Sequence, residues 1–190
     1  MNRRKFLTGF LPEEKLPQIP AAPRGSSTGV APYNGQWTSK EVTHLLRRTM
    51  FGAAYSDITY FTNKTLAQTV DELLTTGTAP APPLNYYGTD SGAALGQTWV
   101  SAPFDPNVNT NRAFSLVAWE VGNMVNQSKS LEEKMVLFWL NHFGTNLQVY
   151  VDARFGYKHV STIRQYCLGN FKSLVNANTV DPAIARFLNG

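Results

Sequence analysis

The chain has 190 residues, 43% of them hydrophobic and 16% charged, a balance that supports a packed core and excludes a disordered tail. No stretch approaches the roughly 20 uncharged apolar residues of a membrane-spanning helix, and the single cysteine, Cys167, excludes an intrachain disulfide and a cysteine-rich zinc site. Five of the 17 basic residues (Arg3, Arg4, Lys5, Lys15, Arg24) but only two of the 13 acidic ones (Glu13, Glu14) lie in the first 24 positions. The net charge of +4 is therefore mostly a property of that end, and no nucleic-acid partner is expected.

Arg3-Arg4-Lys5-Phe6-Leu7 has the twin-arginine spacing of a bacterial export signal. The apolar run that should follow is cut short by Pro12-Glu13-Glu14-Lys15, so the signal is half present. Residues 1–36 are expected to be a basic leader and a Pro/Gly/Ser/Ala-rich linker without fixed structure. A periplasmic or envelope location follows if the signal works, and a cytoplasmic one if it does not.

From Trp37 onward the pattern is helical. Thr38-Ser39-Lys40-Glu41 is a capping box, and Val42, Leu45, Leu46, Thr49 and Met50 then share one stripe. Further helices are expected over about 56–61 and over a stretch with Leu66, Val70, Leu73 and Leu74 ending near Gly77. Residues 77–109 have five prolines and four glycines and no helical period, which predicts a long loop, functional or mobile, whose aromatics pack partly against the body. It could also dock a protein partner.

Arg112 to Val125 is predicted helical, with Phe114, Val117, Val121 and Val125 on one face and Leu116 and Trp119 off it, implying cover on two sides. Ser130-Leu131-Glu132-Glu133 reads as a second capping box. It opens 131–143, apolar almost all round and hence expected to be the buried central helix. A helix over 155–168 follows, then one with Phe171, Leu174 and Val175. Asp181-Pro182 is a strong start for a final short helix. The fold class is all-α, with 37–190 as a helical domain and the N-terminal part of a longer one.

Candidate chemistry is sparse. His44, Arg47 and Arg48 share the polar face of the first helix, where two guanidiniums and an imidazole suit an anionic ligand. The alternative is a solvated face whose arginines pair with carboxylates from elsewhere in the fold. On the 131–143 helix, His142 falls between Leu131 and Met135 on the apolar side, whereas Asn141 points to the polar sector with Glu133 and Lys134. A buried His142 suits a general base, a metal ligand or a core histidine bonded to a carbonyl. His142 and Asn141 are the catalytic candidates. His44, His142 and His159 lie on separate segments without metal-binding spacing, so no metal site is expected, although Glu120, Asp152 and Asp181 could approach in space. No nucleotide or nucleophile motif is present and no cofactor is indicated. Cys167 is expected to be an inert packed thiol.

Three stretches taken together carry a resemblance: His44-Leu45-Leu46-Arg47-Arg48-Thr49 with Phe51-Gly52; Glu133 through Phe143; and Leu168-Gly169-Asn170-Phe171-Lys172 with Asp181-Pro182-Ala183. In this order they resemble the bacterial family called domain of unknown function 1800, from about Trp37 to the last residue, with Asp152-Ala153-Arg154 included. The resemblance implies a mostly helical fold, longer in the family than here, and often an exported protein, but no established reaction. In many relatives the residue before the Asn-His pair is also histidine. Here it is Leu140, which counts against two histidines of this helix sharing a metal. The function expected is binding or processing of an anionic or carbohydrate ligand, with a small-molecule or glycan partner. The alternative is a non-catalytic structural or interaction module of the envelope.

Overall fold

The computed structural model describes residues 32–146 and 152–189; the twin-arginine motif and most of the expected leader lie outside the described residues. The chain divides into a unit of residues 1–35 and one of residues 36–190. All eight described helices belong to the second: α1 (Ser39–Thr49), α2 (Tyr55–Thr62), α3 (Leu66–Leu73), α4 (Pro106–Val125), α5 (Glu132–His142), α6 (Ala153–Tyr166), α7 (Phe171–Thr179) and α8 (Pro182–Phe187). Among the described residues there are no strands, only one isolated antiparallel bridge between Leu84 and Thr98.

Helix starts follow local side-chain chemistry. Thr38 and Glu41 form the expected capping box on α1, and Thr65 with Gln68 forms another on α3, each satisfying otherwise orphaned backbone N–H groups. Asp152, Asn170 and Asp181 cap α6, α7 and α8 with their side chains. The Ser130 box forms only in part. The Ser130 hydroxyl accepts from the Glu132 N–H at 3.2 Å, but Glu133 does not fold back. It pairs instead with Arg164, because a bidentate guanidinium is the stronger partner.

Three apolar clusters hold the second unit together. Val42, Leu46, Met50, Phe61 and Leu73 join α1, α2 and α3. On α3 it is Thr69, not Val70, that is buried beside Leu73. Ala93, Trp99, Ala102, Ala113, Leu116 and Ala153 join the long loop to α4 and the start of α6. Val136, Val160, Ile163, Cys167 and Leu174 join α5, α6 and α7. The central element is α6, which packs against α4, α5, α7 and α8 and buries Gly156, His159, Val160, Thr162, Ile163 and Arg164 along its length.

That displaces the expected central helix. In α5 only Glu132 and Val136 are buried, and Phe138 is 52% exposed. An apolar pattern all round a helix says that every sector could be covered, not which ones are. The face expected to carry α4 inward is likewise outward: Phe114, Val117, Val121 and Val125 are all exposed. The helix instead turns Val108, Arg112, Ala113, Ser115 and Leu116 inward, and it starts at Pro106, six residues earlier than expected.

The inward face of α4 is partly polar because it holds the long loop. The fully buried Trp99 donates from Nε1 to Ser115 Oγ at 2.9 Å, and Ser115 donates to the Leu84 carbonyl at 2.6 Å. Arg112 grips Asp90 at 2.7 and 2.8 Å and the Pro103 carbonyl at 2.7 Å. Its guanidinium holds the Asp90 carboxyl below the ordinary carboxylate range. Gly92 suits this close approach, since a Cβ would stand 2.9 Å from the Arg112 guanidinium and force it to shift. Arg154 on α6 adds a bond to the Ala102 carbonyl at 3.0 Å while clasping Asp152. The loop thus packs against the body along much of its length.

Candidate functional site

The two sets of candidate residues sit on different helices. His44, Arg47 and Arg48 are exposed on α1, and among the described residues no ion pair involves them. Arg47 and Arg48 stand in its last turn, where cations favour the helix dipole. Among the described residues the face is solvated and its arginines have no carboxylate partner. No hydrogen bond or ion pair joins them to His142 or Asn141.

His142 and Asn141 end α5, and both are exposed. The expectation of a buried His142 is corrected: the apolar sector containing it lies at the open edge of the helix. Its ring stacks on Phe138 at 6.3 Å and meets Trp139 and Phe143 edge-on at 5.6 and 5.0 Å. It also lines a pocket of about 300 Å³ with Phe143, Val175, Asn178, Ile184 and Leu188. Among the described residues no hydrogen bond links the His142 ring to the Asn141 amide, and the ring stands on an aromatic shelf.

A second cavity, a cleft of about 400 Å³, opens where the chain leaving α3 crosses α4, α5 and α6. Trp119, Tyr157, Glu132, Ser161, Arg164 and Gln165 are among its walls. Trp119 and Tyr157 meet edge to face at 5.6 Å, and Trp119 is fixed by donating from Nε1 to the Ala81 carbonyl at 2.6 Å. Glu132 accepts from the Gly77 N–H at 3.2 Å. Arg164 is held by Glu133 through bonds of 2.5 and 2.8 Å. Burial opposes charge on Arg164, but the Glu133 pair outweighs it and keeps the guanidinium above its ordinary pKa.

Behind α6 lies a buried polar cluster. His159 Nδ1 stands 3.3 Å from Asp181 Oδ1, with the side chains 2% and 0% exposed. The two are not aligned as a hydrogen bond, and both His159 ring nitrogens and Asp181 Oδ2 are buried without partners among the described residues. Asp181 Oδ1 is occupied in capping α8 through the Ala183 and Ile184 N–H groups. On α4, burial pushes the Glu120 carboxyl up to about 7, against the pull of His159 and Arg164. Burial also lifts the Cys167 thiol to about 11, which keeps it an un-ionised packing group. Among the described residues no group of three or more His, Cys, Asp or Glu is placed to hold a metal ion.

Sequence reasoning named Glu120, His159 and Asp181 only as scattered acids and a spare histidine. The one local signal was the Asp181-Pro182 helix start, which fixes the backbone of one partner and says nothing about the other. Trp119 and Tyr157 carried no signal beyond their being aromatic.

No curated protein and no solved structure matches the chain. The family model described as protein of unknown function (DUF1800) does match it, over residues 44–190, a span that includes α5 to α8 and every wall of the cleft, and the chain belongs to that family.

Proposed function

We propose that the helical unit binds a neutral carbohydrate in the cleft between α4, α5 and α6. The observation that carries this reading is the composition of its walls. The rings of Trp119 and Tyr157 stand beside the Glu132 carboxylate, the Gln165 amide and the Ser161 hydroxyl. Sugars present C–H faces to aromatic rings and a rim of hydroxyls to such polar groups. Net charge argues against an acidic ligand there. Glu132 and Glu133 surround the single guanidinium of Arg164, which Glu133 already neutralises, so an added anion would meet like charge. His44, Arg47 and Arg48 on α1, none of which lines the cleft, would meet a separate anionic ligand. Glu120 is not among the cleft's walls, and this reading assigns no reaction.

The test is isothermal titration of the full chain with a neutral β-linked glucose hexasaccharide and with an acidic galacturonate hexasaccharide. The neutral sugar binds the native chain, and Gln165→Ala, an exposed position, weakens it several-fold without moving the melting temperature. Preference for the acidic sugar, lost in Arg47→Ala/Arg48→Ala, would move the site to α1. A second reading, a non-catalytic interaction module, is favoured by the exposed Phe114, Val117, Val121 and Val125 stripe on α4, since apolar patches of this kind mark contact surfaces. A folded chain that binds neither sugar leaves that reading in place.

A further inference from the structure

The long loop holds one aromatic ring outward on a backbone that is fixed on both sides. Tyr86 is 65% exposed. The Leu84 carbonyl before it accepts from Ser115 Oγ at 2.6 Å, and the buried Asn85 amide donates to the Tyr87 and Ala93 carbonyls at 2.9 and 2.7 Å. A ring presented on so fixed a stretch loses little further freedom when a ligand stacks on it. Tyr86 borders a cavity of about 510 Å³, whose opposite wall includes Asn123, in the last turn of α4, and Asn126, the residue that caps it. Asn126 is steadied by donating from Nδ2 to the Gly122 carbonyl at 2.9 Å. None of the described residues lining this cavity is charged. A phenol ring and two amides without formal charge suit a neutral ligand rich in hydroxyls.

This cavity shares two walls, Pro80 and Trp119, with the carbohydrate cleft. Trp119 is tied to the Ala81 carbonyl, so the boundary between the two is a fixed one, with Tyr157 lining the cleft on one side and Tyr86 the cavity on the other. From this juxtaposition we infer that the cleft continues past Trp119 into a second subsite, where Tyr86, Asn123 and Asn126 take further units of the same sugar chain. The ligand is then an oligosaccharide lying across Trp119, not a single sugar. The inference rests on the carbohydrate reading of the cleft and adds the chain length that it selects. Gly122 offers a way to close the second subsite alone. It lines this cavity and not the cleft, and a Cβ there would meet nothing within 4 Å, so a larger side chain enters open space on a helix that prefers it to glycine.

The experiment is isothermal titration of the full chain with a β-linked glucose disaccharide and the corresponding hexasaccharide. The native chain binds the hexasaccharide more tightly. Tyr86→Ala and Gly122→Leu each reduce the advantage of the hexasaccharide over the disaccharide about tenfold, the loss of one aromatic–sugar contact. Comparing the ratio between variants cancels the extra registers that a longer chain finds at any single site. Thermal melts confirm that the variants are folded, and should Tyr86→Ala disturb the loop, Gly122→Leu decides. Hexasaccharide binding with the native ratio kept in Gly122→Leu would overturn the second subsite and leave the cleft reading standing. A native chain that binds neither sugar would overturn both.

Discussion

Glutamine in place of Glu120 separates the charge of this side chain from its shape. The carboxyl is half-buried on α4, and burial raises its pKa from the ordinary 4.5 to about 7. The folded chain therefore holds this proton through a range in which the unfolded chain has lost it. Stability falls as pH rises through that window, from the unfolded value to the folded one, and the loss is complete above it. A shift of about 2.5 units at 1.36 kcal/mol each corresponds to about 3 kcal/mol. Glutamine mimics the protonated acid and has nothing to lose. Glu120→Gln should thus match the native chain at pH 4 and exceed it by about 3 kcal/mol at pH 8, roughly 10 °C in melting temperature for a unit of this size. Thermal melts followed by circular dichroism between pH 4 and 8 give the comparison. A difference that does not change with pH would show that the Glu120 carboxyl is solvated, and burial would not be what raises its pKa.

Two further outcomes follow from the loop that α4 holds. Asp90→Asn leaves the buried Arg112 guanidinium, 3% exposed, without its counter-charge. It should cost about 4 kcal/mol in urea unfolding at pH 7, and less in acid, because the native Asp90 carboxyl, held below its ordinary pKa, is itself protonated as pH falls through its folded value. Trp99→Phe removes the donor to Ser115 Oγ and leaves a gap in a fully buried position, for a loss of about 2 kcal/mol measured the same way.

The fold class was legible because capping and periodicity are local. Thr38 with Glu41, and Asp181 with Pro182, state a helix start in four residues or fewer. Asp105-Pro106 states it in the same words, with Asp105 accepting from the Asn107 N–H at 2.9 Å. It is masked by its setting, at the end of a Pro/Gly-rich stretch that reads as loop throughout. Orientation was less legible. The 114/117/121/125 stripe has the same period whether it meets a core or faces outward. What turned α4 over is the need of Asp90, Leu84 and Trp99, all on the loop, for polar partners on the helix. Those partners, Arg112 and Ser115, count as surface residues in any local pattern. The cleft was illegible for a related reason, since its walls come from four separate stretches of chain and only their meeting gives them meaning.

The same inversion explains why α6, rather than α5, is central. A helix apolar on every side gains little by taking the middle if its neighbours bring polar groups with them. Here α5 brings Glu133, α8 brings the capping Asp181, and α4 brings Glu120. The helix among them must answer with donors, and α6 does so with Arg164 toward Glu133 and His159 toward Asp181. Arg164 answers through two short bonds from its terminal nitrogens, although its Nε stays buried without a partner among the described residues. His159 answers incompletely, at 3.3 Å and without alignment, and Glu120 receives only the distant pull of both. Buried polar groups left in this condition lower stability without shaping the fold. The site where α4, α6 and α8 meet is therefore where a neutral replacement such as Glu120→Gln has most to gain, whereas the tightly bonded Arg164–Glu133 pair has none to give.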